Sequence, residues 1–143
     1  MSEENPTDTN TNSRPTFAYN WIALGAILGG FRVLLGAFGA HSLKEHLTEK
    51  NLATFQTATE YMGYHGLAIL LVGILALQSE RLAKSLKKVV IFFIIGTVMF
   101  SGSLYALAFD GPRFFGPITP LGGLFFMIAW FTLAVTILKF KKS

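Results

Sequence analysis

Cysteine is absent from the 143-residue chain, which excludes disulfides, thiolate zinc sites, haem attachment and cysteine nucleophiles. Charge is scarce too. Asp, Glu, Lys and Arg make up 14% of the residues, where a soluble domain carries about 25%. With 52% hydrophobic residues and a mean hydropathy of +0.50, the chain lacks the polar side chains to cover a water-facing surface. Its length fits one domain and argues against a multidomain enzyme. The net charge of +4 raises the question of nucleic acid, but the bases flank apolar runs instead of forming a solvated patch. They point to a membrane surface, with no nucleic acid partner.

Residues 1–18 (MSEENPTDTNTNSRPTFA) are polar, with no apolar periodicity, and are expected to form a disordered tail. Their acidic start and missing short apolar core do not fit a secretory signal, so an uncleaved amino terminus is expected. Four apolar stretches follow. Val89 to Phe109 is 21 residues without a charge, and Phe114 to Leu138 is 25. Roughly 20 residues cross the hydrocarbon core as a helix, and unpaired backbone groups are prohibitive in lipid. The expected fold is all-α: an integral membrane four-helix bundle spanning 19–140, with helices at about 19–40, 61–77, 89–109 and 117–138. His41 to Glu60 reads as a polar joint, part of it lying along the interface.

With four spans, the tail, the second connection and the carboxyl end share one side of the membrane. That side holds eight bases (Arg14, Arg81, Lys84, Lys87, Lys88, Lys139, Lys141, Lys142), against three opposite (Lys44, Lys50, Arg113). The positive-inside rule then predicts both termini in the cytoplasm of a plasma (inner) membrane, or a mitochondrial membrane in a eukaryote.

Two groups of residues are candidates for chemistry. In the first span, Gly25, Gly29, Arg32, Gly36 and Gly39 share one stripe at 100° per residue, with Ala26, Gly30 and Ala37 beside it. The small face is expected to pack inward and the large residues to meet lipid. Arg32 sits within the span, at a cost of ~2.5–3.5 kcal/mol unless paired or hydrated. It fits helix packing or a ligand, with Glu60 and Asp110 as the nearest acids, both expected at the outer boundary. The second group gathers His41, Glu60, Tyr61, Tyr64, His65, Ser101, Ser103, Tyr105, Asp110 and Thr119 in the outer half of the bundle. It reads either as a proton- or ligand-binding pocket around His41, Glu60, His65 and Asp110, or as a hydrogen-bonded set fixing helix register. Trp130, in mid-span, is expected to give its indole N–H to a neighbour in the bundle. The histidines lack metal-ligand spacing, Ser101-Gly-Ser103 lacks a triad, and no phosphate-cradling loop is present, so no cofactor or metal is expected.

Three blocks occur in order: Leu35-Gly-Ala-Phe-Gly-Ala-His41, Tyr61-Met-Gly-Tyr-His65-Gly, and Phe100-Ser-Gly-Ser-Leu-Tyr105 followed by Ile118-Thr-Pro-Leu-Gly-Gly123. Over about residues 20–140 the chain resembles the YgdD/YwdK-like family of small bacterial membrane proteins. The resemblance implies four helices in an inner membrane and carries no catalytic or binding residues. Met62 departs from it by standing where the family often has Gln, and Arg32 by standing where an apolar residue is expected. Together these readings predict an uncharacterised multi-pass membrane protein. Its expected role is non-enzymatic, as an accessory or scaffold packing against itself or a membrane complex within the lipid bilayer. The alternative is a small oligomeric transporter or channel-like protein with an outer-half polar pocket. An intramembrane enzyme using His41 or His65 as a base ranks last, because no nucleophile or metal set accompanies them.

Overall fold

The computed structural model describes residues 15–141, and they form four long helices with no strand among them. Helix α1 runs Thr16–His41, α2 Glu49–Ala76, α3 Glu80–Ala108 and α4 Phe115–Lys141, with a short 3-10 turn at Leu43–Glu45. All four are long and apolar enough to cross a membrane. Of the polar tail expected over 1–18, residues 1–14 lie outside the described part, and Thr16, Phe17 and Ala18 are already helical.

Two helices begin well before their apolar runs. Helix α2 starts at 49 and not at 61, because the Thr48 hydroxyl caps it by accepting from the Asn51 N–H at 3.2 Å. Helix α3 starts at 80 and not at 89, capped by the Ser79 hydroxyl, which accepts from the Leu82 N–H at 3.1 Å. Each cap satisfies an otherwise unpaired amide, and Glu49 and Glu80 lie in the first turns, where negative charge is favourable. The joint expected between His41 and Glu60 is therefore only about seven residues long, and its second half is the first three turns of α2.

Helix α3 ends on Asp110, whose φ of 57° places it in the left-handed region. The Gly111 N–H reaches the Ala106 carbonyl at 2.8 Å and the Asp110 N–H reaches the Leu107 carbonyl at 3.2 Å. This is a Schellman closure with aspartate where glycine is usual. The Asp110 carboxylate also accepts from Asn51 Nδ2 at 3.0 Å, tying the turn to the start of α2.

Each helix packs on its neighbour in sequence: α1 on α2, α2 on α3, and α3 on α4. The closest approaches use glycine. A Cβ on Gly66 would stand 2.6 Å from Leu28 Cβ, one on Gly73 2.8 Å from Ile22 Cγ1, and one on Gly96 2.5 Å from Phe126 Cδ1. A Cβ on Gly122 would run into the Phe100 backbone. Small residues thus admit large ones from the facing helix, which is how helices gain contact where lipid already satisfies apolar surface. The core is continuous from Ala18 through Ile69, Val72, Leu86 and Phe93 to Phe126 and Ala129.

The small stripe of α1 is divided. Gly25 and Gly39 are buried, whereas Gly29 has nothing within 4 Å of a built Cβ and Gly36 meets only Arg32. Leu24 and Leu28, expected toward lipid, pack against the core, because the glycines of α2 make room for large α1 side chains. Ile27, Phe31, Leu34 and Phe38 face outward as expected.

Gly122→Ala should lower stability by about 1–3 kcal/mol, because the added methyl meets main chain that cannot move aside. Gly102→Ala, in open space, should be neutral or slightly stabilising. Thermal unfolding of the two variants in one detergent checks the contrast.

Candidate functional site

His65 of α2 lies against Phe93 of α3 and Phe126 and Trp130 of α4 and is 6% exposed. Its Nδ1 is 2.7 Å from the Tyr61 carbonyl, one turn earlier on α2, and its Nε2 is 3.3 Å from Trp130 Nε1 on α4. These partners fix the proton. A carbonyl only accepts, so Nδ1 carries the hydrogen; an indole N–H only donates, so Nε2 offers its lone pair. The ring is therefore a neutral imidazole with both nitrogens committed. It stacks on Phe126, with centroids 3.4 Å apart and planes 4° from parallel, in the space left by Gly96. Phe93 closes the group, with its ring 5.1 Å from Trp130 in an edge-to-face arrangement. Lone-pair chemistry at this ring requires breaking one of the two bonds.

The other polar residues do not gather around it. Tyr105 meets Thr59 at 3.0 Å, and the Thr59 hydroxyl donates to the Phe55 carbonyl, so the phenol proton goes to Thr59. Met62 Sδ lies 3.9 Å from the same phenol and competes with Thr59 for its single proton. Ser103 and Thr119 join α3 to α4 at 2.6 Å, with the Ser103 hydroxyl also 3.0 Å from the Phe100 carbonyl. Asp110 is engaged with Asn51. Ser101 is buried, and its hydroxyl has no hydrogen-bond partner in the structure. Tyr61 lies on Phe100, with centroids 4.5 Å apart, and Tyr64 is 62% exposed. The expected cluster is thus a set of separate interhelical couples. The reason is register: α1 and α2 run antiparallel, Gly39 meets Phe55, and His41 lies beyond that level. Ten residues of helix separate Phe55 from His65, so the two histidines stand at least about 15 Å apart along the axis. Among the described residues no three His, Asp or Glu side chains come together.

Arg32 and Glu60 form a different feature. The longer α2 carries Glu60 three turns into the helix, and Arg32 and Glu60 line one groove between α1 and α2. Its volume is about 330 Å³, and Gly36, Gly39, Phe55 and Thr59 complete its walls. The arginine stem lies on Gly63, where a Cβ would stand 2.6 Å from Arg32 Cδ, and the guanidinium lies over Gly36. Arg32 is half-buried and no ion pair joins it to Glu60. Glycines at 36 and 63 are what let an arginine occupy this interface.

Trp130→Phe should cost about 1 kcal/mol, in the range of interhelical hydrogen bonds in membranes. In the wild type, imidazole nitrogen chemical shifts should report His65 as the Nδ1–H tautomer. A dominant Nε2–H tautomer would contradict the arrangement.

No solved structure matches the chain. A family model described as a protein of unknown function (DUF423) matches residues 35–123. A UPF0382 membrane protein of Staphylococcus epidermidis is 41% identical over 84% of this chain and 96% of its own length. One from Haemophilus influenzae is 41% identical over 85% and 96%, respectively. The UPF0382 inner membrane protein YgdD of Escherichia coli is 36% identical over 85% and 92%. These matches and the four spans agree with the resemblance carried by the His41, His65 and Ser101-Gly-Ser103 blocks: the chain belongs to the DUF423 (UPF0382) family of multi-pass membrane proteins.

Proposed function

We propose that the chain is a non-enzymatic packing component of the inner membrane that associates through α1 with a second copy of itself, or with a larger membrane complex. The observation that carries this reading is the poor coverage of α1. It buries only Ala18, Gly25 and Gly39 of its 26 residues and packs extensively on α2 alone. Ala26, Gly30, Val33 and Ala37 stay exposed on its outer side, at spacings that allow close approach of another helix. The commitment of both His65 nitrogens and the scatter of the other polar groups support a structural use of the interior. The basic excess at the ends of the chain supports cytoplasmic termini, and the name of the YgdD relative supports an inner membrane.

Energy transfer between labelled full-length chains in liposomes tests this. Wild type should associate, and Gly30→Leu should weaken association about tenfold, the order of roughly 1–2 kcal/mol of helix contact. Gly102→Leu, on the open side of α3, should leave it unchanged. A chain that is strictly monomeric in lipid and crosslinks to nothing in cells refutes the reading. The groove shared by Arg32 and Glu60 favours a second one, an oligomeric transporter for a small polar solute. Proteoliposome flux equal in wild type and in Arg32→Gln dismisses it.

A further inference from the structure

We propose that the cleft between α3 and α4 at their basic ends binds the phosphate of an anionic phospholipid, with one acyl chain lying along α4 below it. Two cavities meet there. The first, about 170 Å³, is lined by Arg81, Ser85, Lys88, Thr136, Lys139 and Phe140. The second, about 300 Å³, shares Lys88, Thr136 and Lys139 and continues along Phe131, Thr132 and Val135. The upper part is basic. The lower part is bordered by apolar side chains that face the hydrocarbon, with Phe131 72% exposed.

The depth matches a headgroup. Lys88 immediately precedes the uncharged run that starts at Val89, and Lys139 immediately follows the one that ends at Leu138. Both ammonium groups therefore stand where the hydrocarbon begins, with no carboxylate of the described residues lining either cavity. The nearby Glu80 is already paired with Lys84 at 2.8 Å. Among the described residues Lys88 and Lys139 have no ion-pair partner, and a bilayer supplies one as lipid phosphate. Thr136 adds a second, independent sign. It is 9% exposed, lines both cavities, and its hydroxyl makes no hydrogen bond, so its proton is free for a phosphate oxygen. Ser85 does not serve as a donor, because its hydroxyl proton goes to the Arg81 carbonyl at 3.1 Å. The Arg81 guanidinium is 5.8 Å from the centroid of the Phe140 ring, which holds it at the cleft. Basic clefts between membrane helices at the headgroup level are suited to anionic lipids. The proposal is independent of self-association through α1, none of whose residues lines either cavity.

Native mass spectrometry of the full chain, with phosphatidylglycerol and phosphatidylcholine in competition, provides the test. Wild type should retain phosphatidylglycerol about tenfold more than phosphatidylcholine. K88A/K139A should abolish that preference, each lysine contributing up to about fivefold, while K87A/K141A, with the same charge change outside the cleft, stays within about twofold of wild type. T136V keeps charge and shape and should lower retention about threefold. Thermal unfolding confirms that each variant is folded, and K88R/K139R, which restores the charges, should restore retention if the lysine-to-alanine pair unfolds. Absence of a preference in wild type, equal loss in both lysine pairs, or unchanged retention in T136V overturns the proposal. Displacement of the lipid by inorganic phosphate at constant ionic strength overturns the assignment to a lipid in favour of the free ion.

Discussion

Helices in hydrocarbon gain little by exchanging lipid tails for one another's apolar side chains, so what holds them together must be fit. In this chain the fit is made by glycine against bulk, and the other features depend on it. Gly66 receives Leu28, Gly73 receives Ile22, Gly96 receives Phe126, and Gly122 lies against the backbone of Phe100. Close approach between α3 and α4 sets Phe126 and Trp130 within reach of α2, and this brings the indole to His65. Close approach between α1 and α2 sets the stem of Arg32 on Gly63.

Polar groups follow the same economy. Each interhelical couple crosses one interface: Thr59 with Tyr105 between α2 and α3, Ser103 with Thr119 between α3 and α4, Asn51 with Asp110 at the membrane edge. They fix rotation and register pair by pair, as isolated hydrogen bonds can in a medium that offers no competing water. His65 differs only in joining α2 to α4, and the stacked Phe126 fills the space beneath it. Arg32 and Glu60 stand outside this pattern, since they share a groove without pairing.

Much of the fold was legible because composition and run length speak directly of lipid. Two charge-free runs define most of α3 and α4, and the mid-span position of Trp130 indicated a buried partner for its indole. The starts of α2 and α3 were missed for a physical reason. Apolar runs mark the hydrocarbon, whereas helices begin at their caps, and Thr48 and Ser79 followed by Glu49 and Glu80 were the available signals. The site was less legible. Ten polar residues on the outer half suggested convergence, but helical phase assigns a residue to a face without saying which helix that face meets. The stripe on α1 was read from α1 alone, although Gly63, Gly66 and Gly73 of α2 decide which α1 side chains turn inward.

The order of packing along the chain has a consequence for how the molecule is made. Every extensive interface joins helices adjacent in sequence, so during translation each emerging helix finds its main partner already in place. The hydrogen bond from Trp130 to His65 breaks that rule by reaching back across α3. It belongs to the last of these four helices to leave the ribosome, which makes the indole the latch that closes after the other three have assembled.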